Sequence, residues 1–259
     1  MSRIIAVANQ KGGVGKTTTT INLSACLAEK SKKILTIDID PQGNTTSGLG
    51  VDKNVVENTV YELFLEECSL DECIQDSVME GLSVIPSNIN LSGAEIELIS
   101  MENKEYFLKS KLDEIRDDYD FILIDCPPSL NLLTVNAMVA ADTVLVPIQC
   151  EYYALEGLSQ LMHTIDLIKE RLNPRLEIEG VVFTMYDART NLSSQVVENV
   201  KENLNKKIYK TIIPRNVRLA EAPSYGMPIN MYDTRSAGAE AYRFLAEEVI
   251  EREDEDQWL

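Results

Sequence analysis

Residues 9–20 constrain the fold of this chain more than any other segment. They read Asn-Gln-Lys-Gly-Gly-Val-Gly-Lys-Thr-Thr-Thr-Thr, a glycine-rich loop whose backbone N–H groups can close around phosphate oxygens. An apolar run over residues 4–8 predicts a buried parallel strand before the loop, and a helical pattern follows over residues 18–30. A helix that begins at such a loop adds its dipole to an anion site. This order of strand, loop and helix predicts an α/β fold that binds phosphate groups.

The loop departs from the usual pattern at one position. The common form G-x-x-x-x-G-K-[ST] ends here in Gly15-Lys16-Thr17, and Lys11 adds a second lysine at its start. We expect Lys16 to reach the β- and γ-phosphates of ATP, and the Thr17 hydroxyl to bind Mg²⁺. Lys11 can turn inward to its own nucleotide or outward to one bound by a second subunit, and Gly12 leaves room for either. The residues expected to contact the nucleotide in this loop are Lys11, Gly12, Gly13, Val14, Gly15, Lys16, Thr17 and Thr18.

Acidic residues follow two further apolar runs. Residues 34–38 and 121–125 each read as a strand that ends in an aspartate, Asp38 and Asp125, and Asp40 lies two residues beyond the first. Open α/β sheets bind ligands at the carboxyl ends of their strands. We therefore expect Asp125 and Asp40 to help Thr17 hold Mg²⁺, and Asp40 also to orient the attacking water. Asp38 can contact the magnesium shell or Lys16. A capped polar turn would also explain the residues after the first of these strands.

Strand and helix patterns alternate along all 259 residues. They predict one α/β ATPase domain, residues 1–259, with a mostly parallel twisted sheet and helices on both faces. Further strands are expected over residues 82–86, 143–147, 178–184 and 208–213. Further helices are expected over residues 106–116, 155–172, 193–204 and 239–251. The acidic tail should fray from about residue 250. Neither a secretory leader nor an apolar stretch of about 20 residues is evident, so we expect a cytoplasmic protein.

Charge is distributed unevenly. The net charge of −18 should repel a polyanion, yet between residues 201 and 218 the basic residues face a single acid, Glu202. Arg189 lies just upstream, beside Asp187. Such a local basic field can contact phosphates, although a solvated surface gives the same pattern. The basic residues of the cluster are Lys201, Lys206, Lys207, Lys210, Arg215 and Arg218.

Five segments of the chain resemble the ParA-type partition ATPases, and among them the short chromosomal form of the Soj group. They are residues 11–20, 38–50, 125–130, 147–158 and 213–226. The first segment alone resembles a wider group that includes MinD, the nitrogenase iron protein and iron–sulfur carrier ATPases. The later segments indicate the ParA/Soj family, and the resemblance runs from residue 3 to about residue 245.

The resemblance implies a nucleotide switch in chromosome or plasmid segregation. ATP would hold a sandwich homodimer in which Lys11 crosses to the partner's phosphates. That dimer would bind double-stranded DNA without sequence preference and lie on the nucleoid, while a ParB/Spo0J-type partner stimulates a slow hydrolysis. Catalysis would rest on Lys11, Lys16 and Asp40. By the same match, Pro214 and Asn216 contact adenine and Arg189 and Arg218 bind DNA.

Two other functions use the same loop. A MinD-like positioning ATPase would need a membrane-binding end, but residues 247–256 are acidic and anionic lipid repels them. A P-loop ligase or synthetase would need a small-molecule pocket in place of a DNA-binding face. An iron–sulfur carrier would need a C-x-x-C pair, which the five cysteines do not form. The pair Tyr152-Tyr153 can line a dimer interface or pack in the core.

Overall fold

A computed structural model describes residues 2–99, 101–151, 154–204 and 207–257, so Tyr152, Tyr153 and Lys206 lie outside the described residues. Eight strands in these ranges form one sheet, in the order β3-β4-β2-β5-β1-β6-β7-β8. All neighbours are parallel except β3 and β4. The strands are β1 (Arg3–Val7), β2 (Ile34–Asp38), β3 (Gln75–Asp76), β4 (Leu82–Ile85), β5 (Phe121–Asp125), β6 (Thr143–Gln149), β7 (Glu177–Tyr186) and β8 (Ile208–Pro214).

Helices cover both faces of the sheet. Along β1, Ile4 and Ala6 belong to one hydrophobic core and Ile5 and Val7 to the other, because successive side chains of a strand point to opposite faces. The helices are α1 (Lys16–Glu29), α2 (Asn44–Gly48), α3 (Val60–Phe64), α4 (Leu70–Cys73), α5 (Leu91–Leu98), α6 (Phe107–Ile115), α7 (Leu132–Ala140), α8 (Ala154–Arg171), α9 (Asn191–Leu204), α10 (Val217–Glu221), α11 (Ile229–Tyr232) and α12 (Ala237–Gln257). Among the helices of the described ranges, none combines the length and the apolar character that crossing a bilayer requires.

The predicted fold class is confirmed. The predicted strands over residues 34–38 and 121–125 match β2 and β5, and the other long elements differ from their predictions mainly at the ends. The two-residue strand β3 and helices of four or five residues, such as α4 and α10, are too short to show a hydrophobic period. Helix α7 was missed for another reason, since its sequence LLTVNAMVA is apolar on most sides.

The C-terminal helix α12 continues to Gln257, and the fraying expected from about residue 250 stays a prediction. Arg252 contacts the sheet near the start of the acidic tail. Its guanidinium donates to the backbone oxygens of Glu179 and Ile208, both at 2.9 Å, and lies 3.9 Å from the centre of the Tyr209 ring. These contacts fix the acidic end of α12 against β7 and β8.

One buried carboxylate connects four strands at the other end of the sheet from the phosphate loop. Glu179 of β7 accepts a hydrogen bond from Thr143 of β6 at 2.7 Å and one from the Tyr209 hydroxyl of β8 at 2.7 Å. It also forms an ion pair with Arg3 of β1 at 2.8 Å. Burial, followed by the charge of Glu179, raises the pKa of Tyr209 well above its usual value. Glu179 is therefore a structural centre that links these four strands, and its buried charge is stabilised by the groups that bind it.

Candidate nucleotide site

The register of the sheet brings the predicted site residues to one edge. Asp125 at the end of β5 pairs with Val7 of β1 on one side and with Asp38 of β2 on the other. Because the carboxyl ends of parallel strands lie together, the loop after β1 begins beside both aspartates. The apolar runs that end in aspartate thus place two carboxylates directly at the glycine loop.

The backbone of the loop requires glycine at two positions. Gly13 has φ +74° and Gly15 has φ +90°, in the left-handed region that glycine enters without steric cost. The Thr184 hydroxyl donates to the Val14 oxygen at 2.7 Å and ties the loop to β7. An added Cβ at Gly12 would meet no atom within 4 Å, so the space beside it is open. Helix α1 then begins without a side-chain cap, which leaves its first N–H groups available to an anion.

Lys16 is the first residue of α1 and lies buried in the loop. Its ammonium group donates to the backbone oxygen of Lys11 at 3.1 Å. Burial lowers the pKa of Lys16, while the negative charges of Asp125 and Asp40 act in the opposite direction. A phosphate group in the loop would supply a further negative partner. The predicted position of Lys16 is therefore that of an anion-binding cation.

Asp125 accepts hydrogen bonds from three hydroxyl groups. The distances are 2.8 Å to Thr17, 2.7 Å to Thr45 and 3.3 Å to Thr20. Burial raises the pKa of Asp125, and also that of Asp38 beside it, where the nearby Asp125 adds to the effect. A cation at this edge would favour the ionised form of both carboxylates.

The donor set at this edge suits magnesium. The Thr17 hydroxyl and the Asp125 carboxylate are hard oxygen ligands that lie within contact of each other. Magnesium commonly takes one or two protein carboxylates and completes its shell with water and phosphate oxygens. The arrangement therefore fits Mg²⁺ together with a nucleotide.

Asp40 lies at the same edge, in a loop held by several hydrogen bonds. Its N–H donates to Asp38 at 3.1 Å, its carboxylate accepts from the Gln42 N–H at 2.9 Å, and its backbone oxygen accepts from the Ser87 hydroxyl at 2.8 Å. Lys53 also donates to the Gln42 oxygen at 2.5 Å. Neither Ser87 nor Lys53 belongs to a phosphate-loop motif, so no sequence pattern links them to the site.

Lys11 forms an ion pair with Glu151 of its own chain, at 2.5 Å. Glu151 follows β6, the strand next to β1, which explains how residues so far apart in sequence meet. Both side chains are about two-fifths exposed, at 36% and 43%. Lys11 was expected to turn inward to its own nucleotide or outward to that of a second subunit. In the structure it contacts Glu151 instead, and a phosphate must replace this carboxylate before Lys11 can bind it.

Pro214 and Asn216 lie at the carboxyl end of β8. Pro214 is its last residue, and Asn216 caps α10 by accepting the Arg218 N–H at 2.8 Å on its side-chain oxygen. The capping bond takes one lone pair of the Asn216 side-chain oxygen and does not involve the side-chain NH₂ group, which carries two donors. Contact of Pro214 and Asn216 with adenine stays a prediction.

The two arginines expected to bind DNA follow neighbouring strands, Arg189 after β7 and Arg218 after β8. Arg189 donates to both carboxylate oxygens of Asp187 at 2.8 and 2.7 Å, and its side chain is 85% exposed. Arg218 contacts Glu221 at 2.8 Å and Asp233 at 3.4 Å. Both arginines are thus at the same edge as the glycine loop, and each has an acidic partner.

The basic run in the sequence does not form one surface. Lys207 precedes β8 and pairs with Glu177 at 2.9 Å, whereas Arg215 and Arg218 follow β8. Seven residues of strand separate the two ends by about 20 Å. The expectation of a single basic field over residues 201–218 is therefore wrong for Lys207, because an intervening strand carries the two groups to opposite edges of the sheet.

Comparisons with known proteins agree with this arrangement. An AAA-domain family model matches residues 2–178. The chain is 57% identical over 249 residues to the sporulation initiation inhibitor protein Soj of Bacillus subtilis, covering 96% of this chain and 98% of that protein. It is 51% identical over 253 residues to the chromosome partitioning protein ParA of Myxococcus xanthus, covering 98% and 89%.

A solved structure is also similar over nearly the whole chain. The cobyrinic acid a,c-diamide synthase of Mycobacterium smegmatis, with bound ADP and magnesium, is 38% identical with a TM-score of 0.84, and the match covers 95% of this chain and 93% of that one. The resemblance found in the sequence is confirmed. The chain belongs to the AAA-domain family and, within it, to the Soj/ParA group of P-loop chromosome-partitioning ATPases.

Proposed function

We propose that this protein is an ATP-driven switch in chromosome or plasmid segregation. ATP and Mg²⁺ assemble a homodimer, the dimer binds double-stranded DNA without sequence preference, and a ParB/Spo0J-type partner stimulates a slow hydrolysis that releases it. The main support is the arrangement of Lys16, Thr17 and Asp125 around the glycine loop, with Lys11 at the surface beside it. The bound ADP and magnesium of the similar M. smegmatis structure support the choice of ligands.

In the proposed reaction, each residue acts on the triphosphate through charge and position. Thr17 and Asp125, with Asp40, would hold the metal, which offsets phosphate charge when bound. Lys16 and the N–H groups of the loop bind the phosphate oxygens, and Lys11 leaves Glu151 to bind those of the second subunit. Asp40 accepts a hydrogen bond from the water and orients it for in-line attack. Positioning and electrostatics of this kind supply most of the catalysis in phosphoryl transfer.

Replacing Asp40 with alanine should stop hydrolysis and keep ATP bound. We expect phosphate release to fall by about 100-fold or more, in the range for loss of a group that orients or deprotonates water. The ATP dimer should accumulate, because Lys16 and Thr17 remain. Phosphate-release assays and light scattering after gel filtration measure the two effects.

The exposed Asp71 offers a control for this variant, since Asp71→Ala removes the same charge from α4. It should hydrolyse ATP like the unmodified protein. An Asp40→Ala protein that stays monomeric with ATP bound, or that keeps most of its hydrolysis, would contradict the role of Asp40.

DNA binding should depend on Arg189 and Arg218. In the Asp40→Ala background with ATP, Arg189→Ala/Arg218→Ala should weaken binding to random-sequence duplex by at least about tenfold at low salt. If both arginines of each subunit contact phosphates, four contacts are lost. The negative slope of log K against log salt should then become less steep by about 3 to 4, at about 0.9 per contact. Fluorescence anisotropy with ATP, with ADP and without nucleotide gives these values.

Arg171 and Arg175 supply the matched control. Both are exposed: Arg171 ends α8 and Arg175 precedes β7, at the opposite edge of the sheet. Arg171→Ala/Arg175→Ala removes the same charge and should leave binding nearly unchanged. An equal loss in this control, or binding that persists above about 0.5 M salt, would argue against contacts dominated by phosphates at the proposed edge.

A small-molecule synthetase is the second candidate, because the M. smegmatis protein is named as one. The two functions differ in what accelerates ATP turnover. A synthetase should respond to cobyrinic acid with ammonia as nitrogen donor. The proposed switch should respond to DNA and its partner protein, and not to the acid.

A further inference from the structure

A groove of about 530 Å³ lies between the edge strand β8 and the C-terminal helix α12. Its floor is formed by Ile212 and Pro214 of the strand and by Ala237 and Ala241 of the helix. Phe244 lines the groove and is 52% exposed, an unusual position for a large aromatic side chain. We call this feature the acidic groove, because glutamates surround its apolar floor.

The groove is open because α12 covers only part of β8. The Glu248 carboxylate accepts the N–H groups of Lys210 and Thr211 at 2.9 and 2.8 Å, which closes that part of the strand edge. Closer to the carboxyl end of the strand, the helix presents the small side chains of Ala237 and Ala241. The groove lies open beside this part of the strand.

The charges along the groove are almost all negative. The lining glutamates are Glu240, Glu247, Glu248 and Glu251, and Lys210 is the single cation among the lining residues. Glu247 is paired with Lys30 at 2.7 Å, and Glu248 binds the strand backbone. In the described part of the chain, the side chains of Glu240 and Glu251 form no hydrogen bond or ion pair. Two free carboxylates therefore flank Phe244 on one face of the helix.

The spacing of these residues defines what fits. At 1.5 Å per residue, Glu240 lies about 6 Å before Phe244 and Glu251 about 10 Å after it along the helix. An extended chain rises about 3.3 Å per residue. A partner segment with a cation, an apolar residue two positions away and a second cation four positions further keeps all three side chains on one face of the extended chain. Its spacings of about 7 and 13 Å bring both carboxylates and the ring within reach of flexible lysine side chains.

We propose that the acidic groove binds an extended basic peptide segment of a partner protein. The rim repels DNA and anionic lipid, which leaves a protein segment with positive charge as the complementary occupant. The apolar floor and Phe244 bury the central residue, and the carboxylates set its register. As a docking surface for the partner of the switch, the groove rests on the proposed function. Peptide binding itself needs no nucleotide, so its failure can be told apart from a failure of the switch.

The test uses a fluorescein-labelled peptide containing Lys-Ser-Leu-Ser-Ser-Ser-Lys, with a second peptide that has Ser in place of Leu. Anisotropy is recorded on the full chain without nucleotide, at about 50 mM salt, where charges are weakly screened. We expect the first peptide to bind and the second to bind at least about fivefold more weakly. Phe244→Ala and Glu240→Gln/Glu251→Gln should each weaken the first peptide by at least about fivefold as well.

Glu57→Gln/Glu80→Gln is the matched control, since both glutamates are exposed and lie far from α12 in the sequence. It changes the net charge equally and should alter binding by less than about twofold. The proposal is overturned if the control loses as much as the groove variants, or if the unmodified chain does not bind at about 1 mM peptide. It is also overturned if sedimentation shows that Phe244→Ala abolishes self-association, because the groove would then hold a second copy of the chain.

Discussion

Lys16→Ala is expected to lower the affinity for ATP by about 100-fold or more, because charged hydrogen bonds contribute about 1.5–3 kcal/mol and 1.4 kcal/mol is tenfold. The ammonium group is buried in the loop and has few competing partners, with one donated bond to the Lys11 oxygen. Burial lowers the pKa of Lys16 because it disfavours the charged amine. A phosphate bound beside the amine favours the charged form, so the two groups stabilise each other. Removing the amine leaves the loop with N–H donors and no cation to offset the phosphates.

The measurement is a thermal shift with and without ATP and Mg²⁺, supported by calorimetry. A ligand at 100 times its Kd stabilises the fold by about 2.7 kcal/mol, so the unmodified chain should melt higher with ATP. Lys16→Ala should lose this shift. Lys11→Ala is the control: its side chain lies on Glu151 at the surface, so monomeric ATP binding should persist while the dimer is lost. Tight ATP retention by Lys16→Ala would refute the assignment of the loop.

Glu179→Ala is expected to cost about 3–5 kcal/mol of unfolding free energy, as for removal of one partner from a buried ion pair. Arg3, Thr143 and Tyr209 would each lose the contact with Glu179, and each comes from a different strand. For a chain of this size the melting temperature should fall by about 10 °C. Urea unfolding monitored by circular dichroism gives the free energy directly.

Glu179→Gln separates charge from hydrogen bonding. The amide oxygen can still accept from Thr143 or Tyr209, so this variant should fall between the alanine variant and the unmodified chain. Glu57→Ala, at an exposed position, should be neutral. If Glu179→Ala melts within about 2 °C of the unmodified chain, the network is not the structural centre that its contacts indicate.

The sequence predicted the parts of the site that depend on local pattern and strand order. Asp38 and Asp125 end apolar strands, and parallel pairing then places them together. The contact between Lys11 and Glu151 joins residues 140 positions apart, and no local rule links them. Ser87 supports the loop of Asp40 from 47 residues away, for the same reason.

Other differences had signals within the sequence. Asn216 has the residue type of a helix cap, and its capping role could have been predicted from the helix that follows. Glu221 lies three residues after Arg218, at a spacing that favours an ion pair on a helix. The acidic composition of the tail predicts fraying, whereas the contacts of Arg252 near the start of the tail depend on the packed sheet and have no signal in the sequence.

The capping of β8 by Glu248 has a consequence for assembly. A sheet grows by pairing an exposed edge strand with another chain, and proteins avoid this by closing or shortening their edges. In the edge strand β8, the Glu248 carboxylate accepts hydrogen bonds from two successive N–H groups, those of Lys210 and Thr211. The other edge strand, β3, has only two residues. Neither edge strand offers a template for a continuous intermolecular sheet. The homodimer proposed above would therefore be joined by side chains and bound ligands rather than by extension of the sheet.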